Sequence, residues 1–147
     1  MQARIKWVDG VMFVGESGSG HPVVMDGAAE HGGRNMGIRP MEMVLLGLGG
    51  CASFDVVDIL KKARQRIDDC ICELTAERAD TVPAVFTKIH LHFVVSGEAL
   101  KDKQVERAVT LSAEKYCSAS KMLERGGVEI GHSFEVVDLK ARAAPSA

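Results

Sequence analysis

The sequence predicts an α+β fold, because segments that alternate between apolar and polar residues surround two segments with helical periodicity. Their order is βββ-α-ββ-α-β, and no internal repeat or linker-like composition divides it. A chain of 147 residues can bury roughly 70% of the surface that its unfolded form would expose, which is enough for one core. We therefore expect a single domain over residues 1–140 and a disordered tail over residues 141–147.

The N-terminal segments predict a β-meander. Residues 3–8, 12–16 and 23–26 have the composition and alternation of short strands, and turns that contain Gly join them. Residues 27–39 are rich in Gly, Ala and charged side chains and show no periodicity, which is typical of a loop.

The apolar segment that begins at Pro40 and continues through Leu60 predicts a helix that is buried on all sides. Gly47, Gly49 and Gly50 together should cost about 3 kcal/mol relative to Ala in a helix interior. Close approach of another helix or of a bound ligand would offset that cost. The most apolar run, residues 41–54, is shorter than the roughly 20 residues that a membrane span needs, so we expect no membrane association.

The second half of the chain predicts a hairpin, two helices and a last strand. The predicted elements are strands over residues 70–78 and 87–95, helices over residues 102–115 and 118–123, and a strand over residues 128–139. The inward-facing side chains of the second hairpin strand are expected to be Ile89, Leu91, Phe93 and Val95.

Charge and cysteine content argue against several function classes. The net charge is −2 with both signs interspersed, so the chain lacks the positive field that nucleic acids require. The N-terminus lacks the basic-then-apolar layout of a signal peptide, and we expect a cytoplasmic protein. Four cysteines at uneven spacing fit neither a secreted disulfide framework nor a zinc finger, so we expect no metal or other cofactor.

Cys51 and Cys117 are the candidate redox residues. Cys51 follows two glycines that clear space around its sulfur, and Cys117 ends the second predicted helix, so two helices packed side by side could bring the sulfurs together. An ordinary thiol is only about 3% ionised at pH 7, and burial raises its pKa further. A thiolate at Cys51 therefore needs a nearby guanidinium, and Arg34 and Arg39 are the nearest candidates in sequence.

The remaining polar and sulfur-containing residues have simpler interpretations. We expect Cys70 and Cys72 to be core residues, and Asp55 and Asp58 to form a solvated or dimer-facing helix edge without a catalytic role. The five histidines are scattered along the chain and are not predicted to be ligands.

Two separated motifs resemble those of the OsmC/Ohr family, the osmotically inducible protein C and organic hydroperoxide resistance proteins. The sequence RPMEMVLL at residues 39–46, followed by GGC at 49–51 and DVV at 55–57, resembles the central-helix signature of the family. The sequence SAEKYCS at residues 112–118 resembles its second-cysteine motif, and the chain is most similar to the YhfA-like branch.

This resemblance implies an OsmC-like homodimer in which antiparallel sheets wrap around paired central helices and the active sites lie at the subunit interface. It also implies a thiol-dependent peroxidase for organic hydroperoxides and hydrogen peroxide, with Cys51 as the peroxidatic residue and Cys117 as the resolving residue. Arg39 and Glu42 would complete the site. A dithiol reductant, either a lipoylated or a thioredoxin-like protein, would restore the thiols.

The chain departs from the family pattern at two positions. The family Glu that stands ten residues before the first Cys is Met41 here, and Glu42 lies about 100° away around the helix. No Arg occurs between Arg4 and Arg34, so the N-terminal hairpin Arg of the family has no match. These departures keep two alternatives open: a dimeric ligand-binding or redox-sensing protein with little peroxidase activity, and a cysteine-based transferase for a small thiol-reactive compound.

Overall fold

The structure, a computed structural model, describes residues 1–138, which form two compact units divided between Leu46 and Gly47. The tail predicted over residues 141–147 lies outside the described residues. The expectation of a single domain stays a prediction.

The N-terminal unit contains the predicted meander. Its strands are β1 (Ala3–Asp9), β2 (Met12–Ser17) and β3 (Pro22–Met25), joined in the order β1-β2-β3 with antiparallel pairing. The loop that follows contains one short 3₁₀ turn, Ala29–His31. The strand prediction is confirmed to within one or two residues at each end.

The long helix α1 (Pro40–Lys62) begins in the N-terminal unit and continues into the C-terminal one. Its buried residues form a single stripe: Leu48, Gly49, Ala52, Val56 and Leu60. The expectation of burial on all sides is wrong for the single chain, since Phe54 is 74% exposed. A stripe spaced by three and four residues covers only one face of a helix, and the described chain supplies a partner for that face alone.

The apolar character of α1 also exceeds what the sequence pattern suggested. The helix has 23 residues and a mean hydropathy of 1.8 over its most apolar window, so its length and composition would allow it to cross a membrane. The core helix of a soluble protein passes the same test. The expectation rested on the run of residues 41–54, whereas the helix predicted through Leu60 continues to Lys62 and passes this test as a whole.

The C-terminal unit consists of a second sheet and two shorter helices. The sheet contains β4 (Arg66–Arg78), β5 (Phe86–Glu98) and β6 (Glu129–Asp138), with β4 antiparallel and β6 parallel to β5. Helix α2 (Asp102–Leu111) passes through a π-helical turn, Ser112–Tyr116, before helix α3 (Ser118–Arg125). The parallel pairing of β5 with β6 requires a crossover connection, which these helices provide.

The core of this unit confirms the alternation predicted for β5. The four side chains expected to face inward are all fully buried: Ile89, Leu91, Phe93 and Val95. β4 begins four residues before the predicted strand, because its first residues pair with the end of β5 despite their polar character. A Cβ atom at Gly49 would lie 2.7 Å from Leu74 Cδ1, so this helix glycine allows α1 to approach β4 closely.

Candidate redox site

The two predicted redox cysteines lie close together in the C-terminal unit. Cys51 is the half-buried twelfth residue of α1, and Cys117 is the fully buried residue between the π-helical turn and α3. The Sγ atoms of both residues and a carboxylate oxygen of Asp55 all lie within 4.8 Å of one another. Both cysteines are free thiols, and small side-chain rotations could bring the sulfurs to disulfide geometry.

A buried hydrogen bond attaches the end of α2 to α1 beside Cys51. The Oγ of Ser112 donates to the backbone carbonyl of Ala52 at 2.9 Å, and Ser112 is fully buried. The carbonyl of Ser112 in turn accepts from the N–H of Cys117 at 2.9 Å. These two bonds fix Cys117 relative to the helix that carries Cys51. π-helical turns often occur at functional sites, and this one directly precedes the second sulfur.

The Cys117 sulfur also caps the N-terminus of α3. Its Sγ accepts a hydrogen bond from the N–H of Ser120 at 3.5 Å. Burial raises the pKa of Cys117, the hydroxyl and the N–H of Ser120 offset that effect only in part, and the nearby Cys51 raises the pKa further. Cys117 is therefore held as a neutral thiol, which suits a residue that attacks only after its partner has been oxidised.

Asp55, which the sequence analysis left without a role, belongs to this cluster. It lies four residues after Cys51, on the same face of α1. Its Oδ2 atom is inaccessible to solvent and has no hydrogen-bond partner among residues 1–138. Burial raises the pKa of Asp55, and the neighbouring Asp58 adds to the effect. The spacing of four residues between Cys51 and Asp55 on a predicted helix is the sequence signal that could have revealed this pairing.

A third thiol lies near the pair. Cys72 on β4 interacts electrostatically with Cys117, and a hydrogen bond links its side chain to Ser53. Burial is the main reason why the pKa of Cys72 rises to about 11. Cys70 is likewise half-buried, and burial raises its pKa. Both thiols are thus protonated at neutral pH. The expectation that Cys70 and Cys72 are core residues is wrong for the single chain, since both are only partly buried.

The predicted partners Arg39 and Glu42 lie in the N-terminal unit. The guanidinium of Arg39 donates to three oxygens within the loop: Asp26 O at 3.3 Å, Gly37 O at 3.0 Å and Asn35 Oδ1 at 2.8 Å. Glu42 Oε2 accepts from the backbone N–H of Arg39 at 2.9 Å, which is half of a capping box at the start of α1. Their roles beside Cys51 stay predictions.

The loop of the N-terminal unit is organised by Asp26, a residue that the sequence analysis missed. Its Oδ1 accepts from the N–H of Gly27 at 2.7 Å, and its Oδ2 accepts from the N–H groups of Arg34 and Met36, each at 3.0 Å. The hydrogen bond from Met36 is the largest reason why the pKa of Asp26 is lowered. The guanidinium of Arg34, the alternative cation, pairs with Asp9 at the surface.

A cavity of about 600 Å³ opens beside the cysteine cluster in the C-terminal unit. Asp55 belongs both to its wall and to the cluster, and Tyr116, the neighbour of Cys117, lines it as well. Leu111 and Ile59 supply apolar surface, and Lys62 and Arg107 supply positive charge. This cavity could admit a small molecule with an apolar body and a polar group.

The fold and the paired thiols define the class to which the chain belongs. The family model for OsmC-like proteins matches residues 32–133, and the chain is a member of that family. The chain is 55% identical to Protein YhfA of Escherichia coli K12 over 140 residues, which are 93% of this chain and 98% of that protein. The resemblance predicted from the two motifs is thereby confirmed.

Solved structures confirm the predicted fold class. A hypothetical protein from Aquifex aeolicus VF5 is 28% identical with a TM-score of 0.81, and the similarity covers 93% of this chain and 96% of that one. An organic hydroperoxide resistance protein OsmC from Legionella pneumophila is 20% identical with a TM-score of 0.70, over 92% and 98% of the two chains. At that lower identity the similarity establishes the fold alone.

Proposed function

We propose that this protein is a thiol-dependent peroxidase that reduces organic hydroperoxides, and hydrogen peroxide as a smaller substrate. Membership of the OsmC-like family indicates a function related to redox chemistry or peroxides. The observation that carries the specific proposal is the placement of Cys51 Sγ and Cys117 Sγ within 4.8 Å of each other. The cavity beside them has both apolar and charged walls, as a hydroperoxide with a hydrocarbon body would require.

The two sulfurs take different roles because their surroundings differ. Cys51 is half-buried and reachable, so its thiolate attacks the outer peroxide oxygen; an S–O bond forms, the O–O bond breaks, and the alkoxide leaves as an alcohol after taking a proton. Cys117, buried as a thiol, then attacks the sulfenic acid sulfur and expels water, which leaves an intramolecular disulfide. A lipoylated or thioredoxin-like dithiol returns the two electrons.

A homodimer belongs to this proposal. Phe54 is exposed on α1, and a Cβ atom added at Gly47 or Gly50 would meet no atom within 4 Å. A helix face that combines exposed apolar surface with open glycines suits close packing against a second copy of the same helix. We place this dimer in the cytoplasm, where dithiol reductants keep cysteines reduced.

A stopped-flow measurement of thiol loss with cumene hydroperoxide tests the proposal. We expect the wild-type protein to react much faster than free cysteine, the C51S variant to lose this reaction, and the C117S variant to accumulate a sulfenic acid. The C70S variant is the matched control and should react like the wild type. A wild-type rate equal to that of free cysteine would contradict the proposal.

The second candidate is a dimeric ligand-binding or redox-sensing protein of the same fold. Three observations favour it: Arg39 binds oxygens of its own loop, Arg34 pairs with Asp9 of β1, and Met41 stands at the family Glu position. Slow oxidation of Cys51 combined with tight binding of a ligand in the cavity would support this candidate over the peroxidase.

A further inference from the structure

The cluster of Cys51, Asp55 and Cys117 brings together three side chains that can each offer one ligand atom to a metal ion. One carboxylate oxygen of Asp55 is enclosed and receives no hydrogen bond from residues 1–138. A buried polar atom of this kind requires an explanation, and the capacity to coordinate a cation is one.

The donor set has the chemistry of a site for a thiophilic divalent cation. Two thiolates and one carboxylate are ligands that Zn²⁺ accepts, and a three-ligand site leaves the fourth tetrahedral position for water. With Zn–S bonds of about 2.3 Å, two sulfurs on one tetrahedral ion lie about 3.8 Å apart. The observed donor atoms, all within 4.8 Å of one another, reach this arrangement by small side-chain rotations.

The backbone around the cluster fixes the ligands from two directions. Cys51 and Asp55 are one helical turn apart on α1, while Cys117 is held by the N–H bond to Ser112 and by the bond of Ser112 Oγ to Ala52. A site built on a regular helix and a hydrogen-bonded turn is largely formed before the metal binds. Asp55 also lines the neighbouring cavity, so one ligand residue borders solvent-filled space.

We infer that the reduced protein binds one thiophilic divalent cation per chain, with Zn²⁺ as its representative, through Cys51 Sγ, Cys117 Sγ and a carboxylate oxygen of Asp55. Binding displaces the two thiol protons. The bound ion occupies both sulfurs, so a metal-loaded chain does not reduce peroxide. Cation binding requires only the three ligands, so it stands even where the proposed peroxidase activity fails.

Titration of reduced, chelator-treated protein without an affinity tag tests this inference. Zn²⁺ is added in competition with a chromophoric chelator, and Co²⁺ is added separately to detect thiolate-to-cobalt charge-transfer absorption. We expect one ion per chain, with that absorption band present. Loss of any one ligand in C51S, C117S or D55N should weaken binding by at least about tenfold.

Two matched control variants distinguish binding at the cluster of Cys51, Asp55 and Cys117 from binding by nearby carboxylates and thiols. Asp58, which forms an exposed ion pair with Lys62, is tested as D58N, and Cys72, which lies outside the 4.8 Å cluster, is tested as C72S. Both variants should bind Zn²⁺ as the wild type does. The two cysteine variants keep the inference testable if D55N fails to fold.

The inference is overturned if the wild type binds no Zn²⁺ under reducing conditions. It is equally overturned if binding persists unchanged in the C51S and C117S variants, because the ion would then be held by other groups such as the histidines His90 and His92. Peroxidase assays on metal-free protein test the proposed function separately. Absence of cation binding therefore does not imply absence of peroxidase activity, and the reverse also holds.

Discussion

Asp26 and Asp55 each have carboxylate oxygens shielded from water, but the hydrogen bonding of the two groups differs. Asp26, 2% exposed, accepts backbone N–H groups on both oxygens, and these bonds, led by the one from Met36, lower its pKa. Asp55 has an enclosed oxygen without a donor among the described residues, and burial raises its pKa. The carboxylate of Asp26 stabilises a loop. The carboxylate of Asp55 lies beside two sulfurs, and its unpartnered oxygen can still accept a hydrogen bond or coordinate a cation. Unsatisfied groups of this kind concentrate at functional sites.

The strongest effect on stability is expected at Gly33, in the loop that Asp26 organises. A Cβ atom there would lie 2.0 Å from the carbonyl oxygen of Gly27, so G33A must displace backbone and should lower the free energy of unfolding by more than about 4 kcal/mol. The control is G32A, where the backbone is left-handed but the space is open, with an expected loss of about 1–2 kcal/mol. Urea denaturation compares the two, and equal losses would show that the loop is not tightly packed there.

Two fully buried serines near the sulfur cluster should respond differently to loss of the hydroxyl. Ser112 Oγ donates to Ala52 O, whereas Ser120 Oγ interacts only with the Cys117 sulfur, a weak acceptor, and makes no hydrogen bond of ordinary geometry among residues 1–138. S112A should lower the free energy of unfolding by about 1–2 kcal/mol, and S120A by less than about 0.5 kcal/mol. S112A should also slow formation of the disulfide, because it loosens the attachment of the turn before Cys117. Similar losses in both variants would contradict the positioning role of Ser112.

The comparison of the two aspartates can be tested directly with isosteric amides. D26N replaces an acceptor with an NH₂ donor that would face a backbone N–H, so it should destabilise the protein. D55N removes an enclosed charge without a partner, so the free energy of unfolding should stay the same or rise by up to about 1 kcal/mol. Urea denaturation at pH 7 measures both. Destabilisation of equal size in the two variants would remove the distinction between a structural and a functional aspartate.

The contributions of Asp26 and Asp55 to the free energy of unfolding change with pH in opposite directions. The pKa of Asp26 is lowered in the folded state, so its stabilising contribution is present above about pH 3.9 and is lost as pH falls through the native pKa. The pKa of Asp55 is raised, so the carboxyl favours folding below about pH 3.9 and loses that contribution as pH rises through its native value. Denaturation of wild type, D26N and D55N at several pH values between 3 and 7 measures both trends.

The sequence predicted most elements of the fold because their hydrophobic periods are regular. Alternation identified the inward face of β5, and the placement of Cys51 and Cys117 on two helices predicted that their sulfurs would meet. Asp26 was missed, and Asp55 was expected on a solvated or dimer-facing helix edge without a catalytic role, because burial and hydrogen bonding of a carboxylate depend on segments distant in sequence. The exposed face of α1 was missed because an apolar helix looks the same in sequence whether its own chain or a second copy covers it.

The prediction of a positively charged partner for Cys51 was limited for the same reason. Arg39 and Arg34 were chosen because they are near Cys51 in sequence. The guanidinium of Arg39, however, binds oxygens of its own loop, and that of Arg34 pairs with Asp9 of β1. Hydrogen-bonding capacity of a loop backbone cannot be read from residue spacing. Glu42 was expected at the site, and the structure gives its carboxylate a capping bond to the backbone of Arg39.

The central claim is that the sulfurs of Cys51 and Cys117 act as one redox pair. Treatment of the reduced protein with one equivalent of cumene hydroperoxide, followed by alkylation and peptide mass spectrometry, tests it most directly. The claim predicts a disulfide between Cys51 and Cys117, with Cys70 and Cys72 recovered as alkylated thiols. Recovery of all four cysteines as thiols, or a disulfide that joins Cys72 to either residue instead, would contradict it.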